Sequence, residues 1–287
     1  MTLGPDGAVY IVDWYNKIIS HNEVPRNHPE RDKKRGRIWR LKGKAEAGFP
    51  VPDFTRMSEE GLVAALGHDS VAQSHLAWQT LADRPTLAPT TLSALKNIVQ
   101  APVAKQDADA TRPYPDARRI QALWVLVEKN QATDLLAPLA THPNPNVRRE
   151  AATFAGAQAA AFLADSEFTV RTAAIAAVAD SLAHDPSPGT LATLIAAARE
   201  PVTEPVAAST QSGQPIKVGA AYEREYERYL VRMFLENYPD AVAAFLDSPA
   251  AQKLPAESLM VASLALPAKV SAPRVARLLA QWHRTPN

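Results

Sequence analysis

A segment near the start of the chain has the side-chain period of two that is expected of a β-strand. From Ala8 to Trp14, apolar and aromatic residues occupy odd and even positions alike, which is typical of a strand buried on both faces. Turn chemistry at Pro5-Asp6-Gly7 precedes this segment, and a second strand is predicted from Arg37 to Leu41. Because two strands alone are marginally stable in water, we expect this hairpin to have neighbours.

From about residue 53 onward the hydrophobic period becomes that of an α-helix. Three core-facing helix faces are predicted: Ala117, Ile120, Trp124 and Val127; Val147, Ala151, Phe154 and Ala155; and Val170, Ala174, Ala177 and Val178. The pattern therefore predicts a mostly α-helical protein in which small residues let the helices approach closely.

A further helical face is rich in tyrosine and consists of Tyr222, Tyr226, Tyr229, Leu230 and Met233. We expect this face to pack against a neighbouring helix, and the alternative is that it binds a ligand. The ion pairs Arg224–Glu227 and Glu225–Arg228 are expected on the exposed side of the same helix.

The helical segments also share a local sequence. Residues 139–151 (LATHPNPNVRREA) resemble residues 163–174 (LADSEFTVRTAA), and weaker copies occur at 66–73, 115–122 and 271–277. If Val71, Ala117, Val147 and Val170 are equivalent, the copies are 46, 30 and 23 residues apart. Each copy offers a capping residue in the turn, Asn144, Ser166 or Asp69, and Pro145 suits the first helical position.

Two segments rich in proline and polar residues, 100–116 and 200–220, are predicted to be loops. The resulting division is a β-hairpin at 1–44, first helical repeats at 45–105, further repeats at 106–200, a loop at 201–220 and C-terminal helical repeats at 221–287.

Composition excludes several classes of function. The chain has 31 Lys and Arg against 30 Asp and Glu, a net charge of +1, which argues against a nucleic-acid partner. The absence of cysteine excludes disulfides, thiolate metal sites, cysteine nucleophiles and haem attachment through C-x-x-C-H. No apolar run is long enough to span a membrane, and the N-terminus lacks the layout of a signal peptide.

No catalytic constellation appears in the sequence. G-x-S-x-G, a glycine-rich phosphate loop and H-E-x-x-H are all missing, and we predict no catalytic residue, no metal and no cofactor in this chain. Three histidines, His68, His142 and His184, fall in predicted turns between helices, where we expect them to act as turn or capping residues.

Two resemblances follow from these residues. The pattern (Asp/Asn)-x-x-Val-Arg-x-x-Ala, present at Val147-Arg148 and Val170-Arg171, resembles the second helix of HEAT repeats. The stretches GPDGAVYIVDWYNKIISH (4–21) and GRIWR (36–40) resemble the last blade of the β-propeller in large membrane-bound dehydrogenase-like proteins, which is related to glucose and sorbosone dehydrogenases. In that family HEAT repeats follow the propeller, and a cytochrome c domain often follows them.

The resemblance implies a HEAT-like α-solenoid preceded by a short β-hairpin from a propeller. It also implies an exported or periplasmic oxidoreductase family with a quinone, and haem c, in the parent protein. The residues that match the last blade or neighbour it are Asp13, Trp14, Tyr15, His21, Arg31 and Asp32. Three roles stay open for them: hydrogen bonds that pin the long loop, contact with substrate or cofactor, and metal ligation by His21, His28 and Asp32. Trp14 and Tyr15 are expected to pack on the preceding blade.

A propeller needs several four-stranded blades, and this chain supplies one hairpin, so we expect a fragment whose Met1 is internal to a longer parent. Our first hypothesis is a non-catalytic HEAT-repeat scaffold, the C-terminal part of a sugar or alcohol dehydrogenase that contacts its propeller and cytochrome domains. The alternative is a free-standing HEAT-like module that binds another protein; an enzyme acting alone is least favoured.

Exposure of the hairpin separates the two main hypotheses. Tyr10, Ile11, Val12 and Trp39 should lack neighbours in the first case and be covered by the first helices in the second. Exposed apolar surface there also predicts self-association.

Overall fold

The computed structural model describes residues 1–13, 24–25, 27–32, 34–44, 48, 50–102, 115–202, 206–208, 213 and 215–280. It divides into two compact units, Met1–Ala132 and Thr133–Asn287. The protein is mostly helical, with a small antiparallel sheet at its N-terminus, as the sequence predicted. No helix among the described residues is long and apolar enough to cross a membrane.

The N-terminal sheet contains β1 (Thr2–Leu3), β2 (Val9–Asp13) and β3 (Arg37–Leu41), in that spatial order. Both pairs are antiparallel, and Tyr10 lies opposite Arg40 in the register. The predicted turn joins β1 to β2: Gly7 has a φ of 80°, and the Asp6 carboxylate accepts a hydrogen bond from the backbone N–H of Ala8 at 3.1 Å. The sequence had predicted two of these three strands.

The helices of the first unit follow a 3₁₀ turn at Phe54–Arg56. They are α1 (Glu59–Ala65), α2 (Val71–Asp83), α3 (Pro89–Gln100) and α4 (Pro115–Glu128). Ser58 and Ser70 cap α1 and α2 through their hydroxyl oxygens, and Pro89 begins α3. At the end of α3, the buried Arg119 guanidinium donates to the carbonyl oxygens of Val99 and Ala101, which satisfies acceptors that the helix leaves open.

Helix α4 presents a different face to the core from the one predicted. Ala122, Leu123, Val125 and Leu126 are fully buried. Of the predicted face, Ala117 is exposed and Ile120, Trp124 and Val127 are half-buried. Five consecutive apolar residues from Ala122 to Leu126 allow either face to appear hydrophobic, so periodicity alone cannot choose between them.

The second unit contains these elements in chain order: α5 (Thr133–Leu136), a 3₁₀ helix (Ala137–Thr141), α6 (Pro145–Phe154), a 3₁₀ helix (Gly156–Phe162), α7 (Phe168–Leu182), α8 (Pro188–Ala196), β4 (Val206–Ala208), β5 (Pro215–Lys217), α9 (Ala220–Leu235), α10 (Pro239–Leu246), a 3₁₀ turn (Ala251–Lys253), α11 (Ala256–Leu264) and α12 (Ala268–Ala280). Strands β4 and β5 form a hairpin inside the segment that was predicted as a loop.

Helices α6 and α7 largely confirm the predicted core faces. All four residues predicted for α7 are buried, and so are Val147 and Ala151 of α6 and Ala155, which follows α6 directly. Phe154 is instead 37% exposed, and Val71, aligned with Val147 by sequence, is 66% exposed. The weak copy at 66–73 therefore does not give Val71 the buried environment of Val147.

The turns before α6, α7 and α2 agree only in part with the capping residues predicted for them. Asn144 caps α6 as predicted, whereas Glu167 rather than Ser166 precedes α7, and Ser70 rather than Asp69 caps α2. His68 and His142 fulfil the expected turn role, because each Nδ1 accepts a hydrogen bond from the backbone N–H two residues later, at 2.9 and 3.1 Å.

The arginines of the two Val-Arg pairs make the same backbone contacts. Arg148 Nη1 donates to the carbonyl oxygens six and five residues earlier, His142 and Pro143, at 2.8 and 3.1 Å. Arg171 Nη1 does the same to Asp165 and Ser166, at 2.8 and 2.7 Å. Each guanidinium thus holds the turn that precedes its helix.

Candidate interaction surface

The predicted site residues that the structure describes are anchors of the sheet and its loop. The Asp13 carboxylate accepts a hydrogen bond from Trp39 Nε1 at 3.0 Å. Arg31 donates to the carbonyl oxygens of Val24 and Pro25 at 2.8 and 3.1 Å, and Asp32 accepts from two backbone N–H groups, those of residues 34 and 35. These contacts agree with the loop-pinning role. Trp14, Tyr15 and His21 lie outside the described residues.

Metal ligation by the loop gains no support from its described part. His28 Nδ1 accepts a hydrogen bond from the Glu30 N–H at 3.2 Å, and Asp32 is engaged with the turn after it. Across the described ranges, no group of three or more His, Cys, Asp or Glu side chains could hold a metal ion. His21, the third proposed ligand, is not among those residues.

A polar cluster that sequence analysis missed joins the turn to β3. Arg40 Nη2 lies 2.5 Å from Asp6 Oδ2, and Tyr10 Oη donates to the same carboxylate oxygen at 3.0 Å. Burial would raise the pKa of Asp6, but the hydrogen bonds from Arg40, Ala8 and Tyr10 outweigh it and hold that pKa below its ordinary value. The cluster fixes the β2–β3 register. Sequence analysis could have found the cluster only by aligning the two strands so that Tyr10 lies opposite Arg40.

Apolar side chains on both faces of the sheet are exposed. Val12 and its cross-strand neighbour Ile38 are 78% and 70% exposed, while Trp39 and Leu41, on the other face, are 47% and 53% exposed. The expectation that β2 is buried on both faces is therefore wrong for Val12. These residues, together with the outer edge of β3, form what we call the sheet surface.

The outer edge of β3 also belongs to this surface. Within the described part of the chain, β3 pairs only with β2, and all five of its residues are exposed. An edge strand of this kind can accept a further strand through main-chain hydrogen bonds. Its apolar side chains, which stand on the two faces of the sheet, would be covered by structure that packs on those faces.

The sheet is held to the first unit at its turn. The carbonyl oxygen of Pro5 accepts hydrogen bonds from Ser70 Oγ at 3.0 Å and from Gln73 Nε2 at 2.8 Å. Gln73 Nε2 also donates to the carbonyl oxygen of Pro50 at 2.7 Å, and Ala8 is buried. Helix α2 therefore fixes one end of the sheet and leaves the sheet surface open.

Helix α9 carries a second exposed surface, which we call the tyrosine face. Tyr222, Tyr226 and Tyr229 are 56%, 39% and 49% exposed. Successive ring centroids lie 6.5 and 6.2 Å apart, and Phe168 meets Tyr226 edge to face at 5.7 Å. The tyrosines are thus partly exposed, while Tyr226 contacts Phe168 of the neighbouring helix α7.

The opposite face of α9 buries a charge, which explains the orientation of the helix. Glu227 is 1% exposed and accepts from Arg171 Nε at 2.6 Å and Arg199 Nη2 at 3.0 Å, with Arg224 Nε at 3.3 Å. The expected exposed ion pair of Arg224 with Glu227 is thus directed inward. A buried carboxylate needs such partners, and they turn the tyrosines outward.

Comparison with known proteins adds one match. Residues 1–45 match the family model of a domain of unknown function, DUF7133. Searches of curated proteins and of solved structures each gave no match. The matched segment contains β1, β2 and β3 and ends before the first helix.

Proposed function

We propose that this chain is a non-catalytic HEAT-like scaffold whose sheet surface completes the propeller of a glucose- or sorbosone-dehydrogenase-type enzyme. The observation that carries the proposal is β3, whose five residues are all exposed and which pairs with no strand other than β2 within the described part. Burial of Val12, Ile38 and Leu41 by further strands would remove apolar surface from water, at roughly 1.5–3 kcal/mol for each fully buried side chain.

The helical part supports a scaffold in two ways. The matched backbone contacts of Arg148 and Arg171 suit a repeated helical unit, which is the basis for proposing an α-solenoid. The buried Glu227 is bonded by Arg171, Arg199 and Arg224, and Arg171 also bonds to backbone, so these charges act within the helical structure. In this proposal the quinone and haem c belong to the propeller and cytochrome domains, and the assembly is exported or periplasmic.

The test is capture of the partner from cells that express the protein. We would retrieve the tagged chain after mild cross-linking and identify the bound proteins by mass spectrometry. The proposal expects a propeller-type dehydrogenase, and it expects Ile38→Lys to reduce capture about tenfold, because the substitution places a charge in the new interface. Leu264→Lys is the matched control, because Leu264 is an apolar residue of the second unit that is also exposed, at 51% against 70% for Ile38.

Two outcomes would refute this function. One is full capture of the propeller enzyme by Ile38→Lys, and the other is capture of unrelated proteins only. Purified chain that oxidises sugars or alcohols with a quinone and an artificial acceptor would contradict the non-catalytic part.

A free-standing protein-binding module is the second candidate, and the tyrosine face favours it. Tyrosine is enriched in protein interfaces because its large ring buries apolar area while its hydroxyl keeps a hydrogen-bond partner. In this case a double variant that combines Tyr222→Ser and Tyr226→Ser would abolish partner capture. The Ile38→Lys variant would leave capture unchanged. The two candidates thus make opposite predictions for the same pair of variants.

A further inference from the structure

A cavity with converging positive charge lies in the second unit. It has a volume of about 530 Å³ and is lined by residues of α10, α11, α12 and the 3₁₀ turn between α10 and α11. This volume is in the range of small-molecule sites. Leucine side chains supply much of its apolar wall, among them Leu254, Leu259 and Leu278.

Two guanidinium groups reach this cavity from one helix. Arg274 and Arg277 are three residues apart on α12, so they lie on the same face of the helix, with Leu278 beside them. The Asp247 carboxylate also lines the cavity. The charged lining is therefore two positive groups against one negative group.

The two arginines are engaged to different degrees. Arg274 pairs with Asp247 through Nη2 and donates from Nη1 to the carbonyl oxygen of Val270 at 2.8 Å. Its Nε is buried and has no hydrogen-bond partner among the described residues. Arg277 makes no hydrogen bond or ion pair with any other described residue, and it is exposed at the cavity wall.

We propose that this cavity binds a monocarboxylate with an aliphatic chain. The carboxylate would accept hydrogen bonds from Arg277, supported by the positive charge of Arg274, and the alkyl chain would lie against Leu254, Leu259 and Leu278. One negative charge matches the net charge of the lining, whereas a phosphate dianion would exceed it and would leave the leucines uncovered. The proposal is independent of the propeller assembly.

Isothermal titration calorimetry of the full chain with sodium octanoate tests the proposal. We expect saturable one-to-one binding, and we expect Arg277→Gln to weaken it about tenfold or more, because one charge-assisted interaction is lost. Octan-1-ol should bind more weakly than octanoate, and octylammonium should not bind. Arg232→Gln, which removes an exposed arginine paired with Glu236 on α9, is the matched control and should leave the affinity unchanged.

Because Arg277 has no partner among the described residues, Arg277→Gln should keep the fold, which circular dichroism and the melting temperature would check. Three results would overturn the proposal. They are the absence of octanoate binding to the unmodified chain, equal affinity of the Arg277→Gln variant for octanoate, and binding of inorganic phosphate in preference to octanoate.

Discussion

Helix α7 and strand β3 show opposite relations between apolar sequence and burial. Eight residues of α7 are buried, among them Ile175 and Leu182, which are each 1% exposed. Strand β3 carries Ile38, Trp39 and Leu41, and all of them are exposed. Helix α7 therefore buries most of its apolar residues within its own unit, whereas β3 leaves its apolar side chains exposed.

The largest effect should come from the charge buried beneath α9, close to α7. Glu227→Ala leaves Arg171, Arg199 and Arg224 around an empty position, and we expect the free energy of unfolding to fall by about 4 kcal/mol. Urea denaturation followed by circular dichroism would measure it. Glu225→Ala, which removes an exposed carboxylate from the same helix, is the control and should cost less than about 1 kcal/mol.

Removal of a buried side chain from α7 should cause the next largest loss in the free energy of unfolding. Ile175→Ala removes a side chain that is 1% exposed, and we expect a loss of about 3 kcal/mol in the free energy of unfolding. A loss below about 1 kcal/mol would mean that the core around α7 is loose, and the contrast with the sheet would then disappear.

Acid should weaken the second unit through Asp165. Burial would raise the pKa of this carboxyl, but the hydrogen bonds from Arg148 and from the Glu167 N–H outweigh it and lower the pKa below its ordinary value of 3.8. A lowered folded-state pKa gives stability that is complete above the unfolded-state value and is lost as the pH falls through the folded-state value.

The corresponding measurement compares urea midpoints at about pH 6 and about pH 3. Asp165→Asn should be less stable than the unmodified protein at the higher pH, and it should lose less stability on acidification. An identical pH dependence of the two proteins would show that Asp165 contributes nothing to the acid sensitivity.

The smallest effect should be found on the sheet surface. Ile38→Ala should change the free energy of unfolding by less than about 0.5 kcal/mol, because Ile38 is 70% exposed. The same denaturation assay applies. A loss comparable to that of Ile175→Ala would show that Ile38 is already packed in the isolated chain.

Sequence predicted the elements better than it predicted their orientation. The predicted core face of α7 is buried as expected, although apolar residues lie almost all around this helix. The orientation of helix α9 could not be predicted, because tyrosines are compatible with a core or a surface, and the partners of Glu227 come from residues 28 and 56 positions away. Strand β1, with two residues, is too short to show periodicity.

The candidate surface was predictable only in outline. Exposure of the hairpin could be predicted because two strands are too few to cover one another. Its attachment to α2 could not, because it depends on the hydrogen bond from Gln73 to Pro5, which are 68 residues apart in the sequence. The contacts of Arg31 and Asp32 with nearby backbone could be seen only in the structure. HEAT repeats, the dehydrogenase parent and its cofactors stay predictions.

Amide hydrogen exchange tests the open sheet surface most directly. We would compare β3 with α7 in the isolated chain and again in the cross-linked complex captured from cells. The account predicts rapid exchange of those β3 amides that do not bond to β2, slow exchange throughout the centre of α7, and at least about tenfold slowing of these β3 amides in the complex. Full protection of every β3 amide in the isolated chain, or no change on capture, would contradict it.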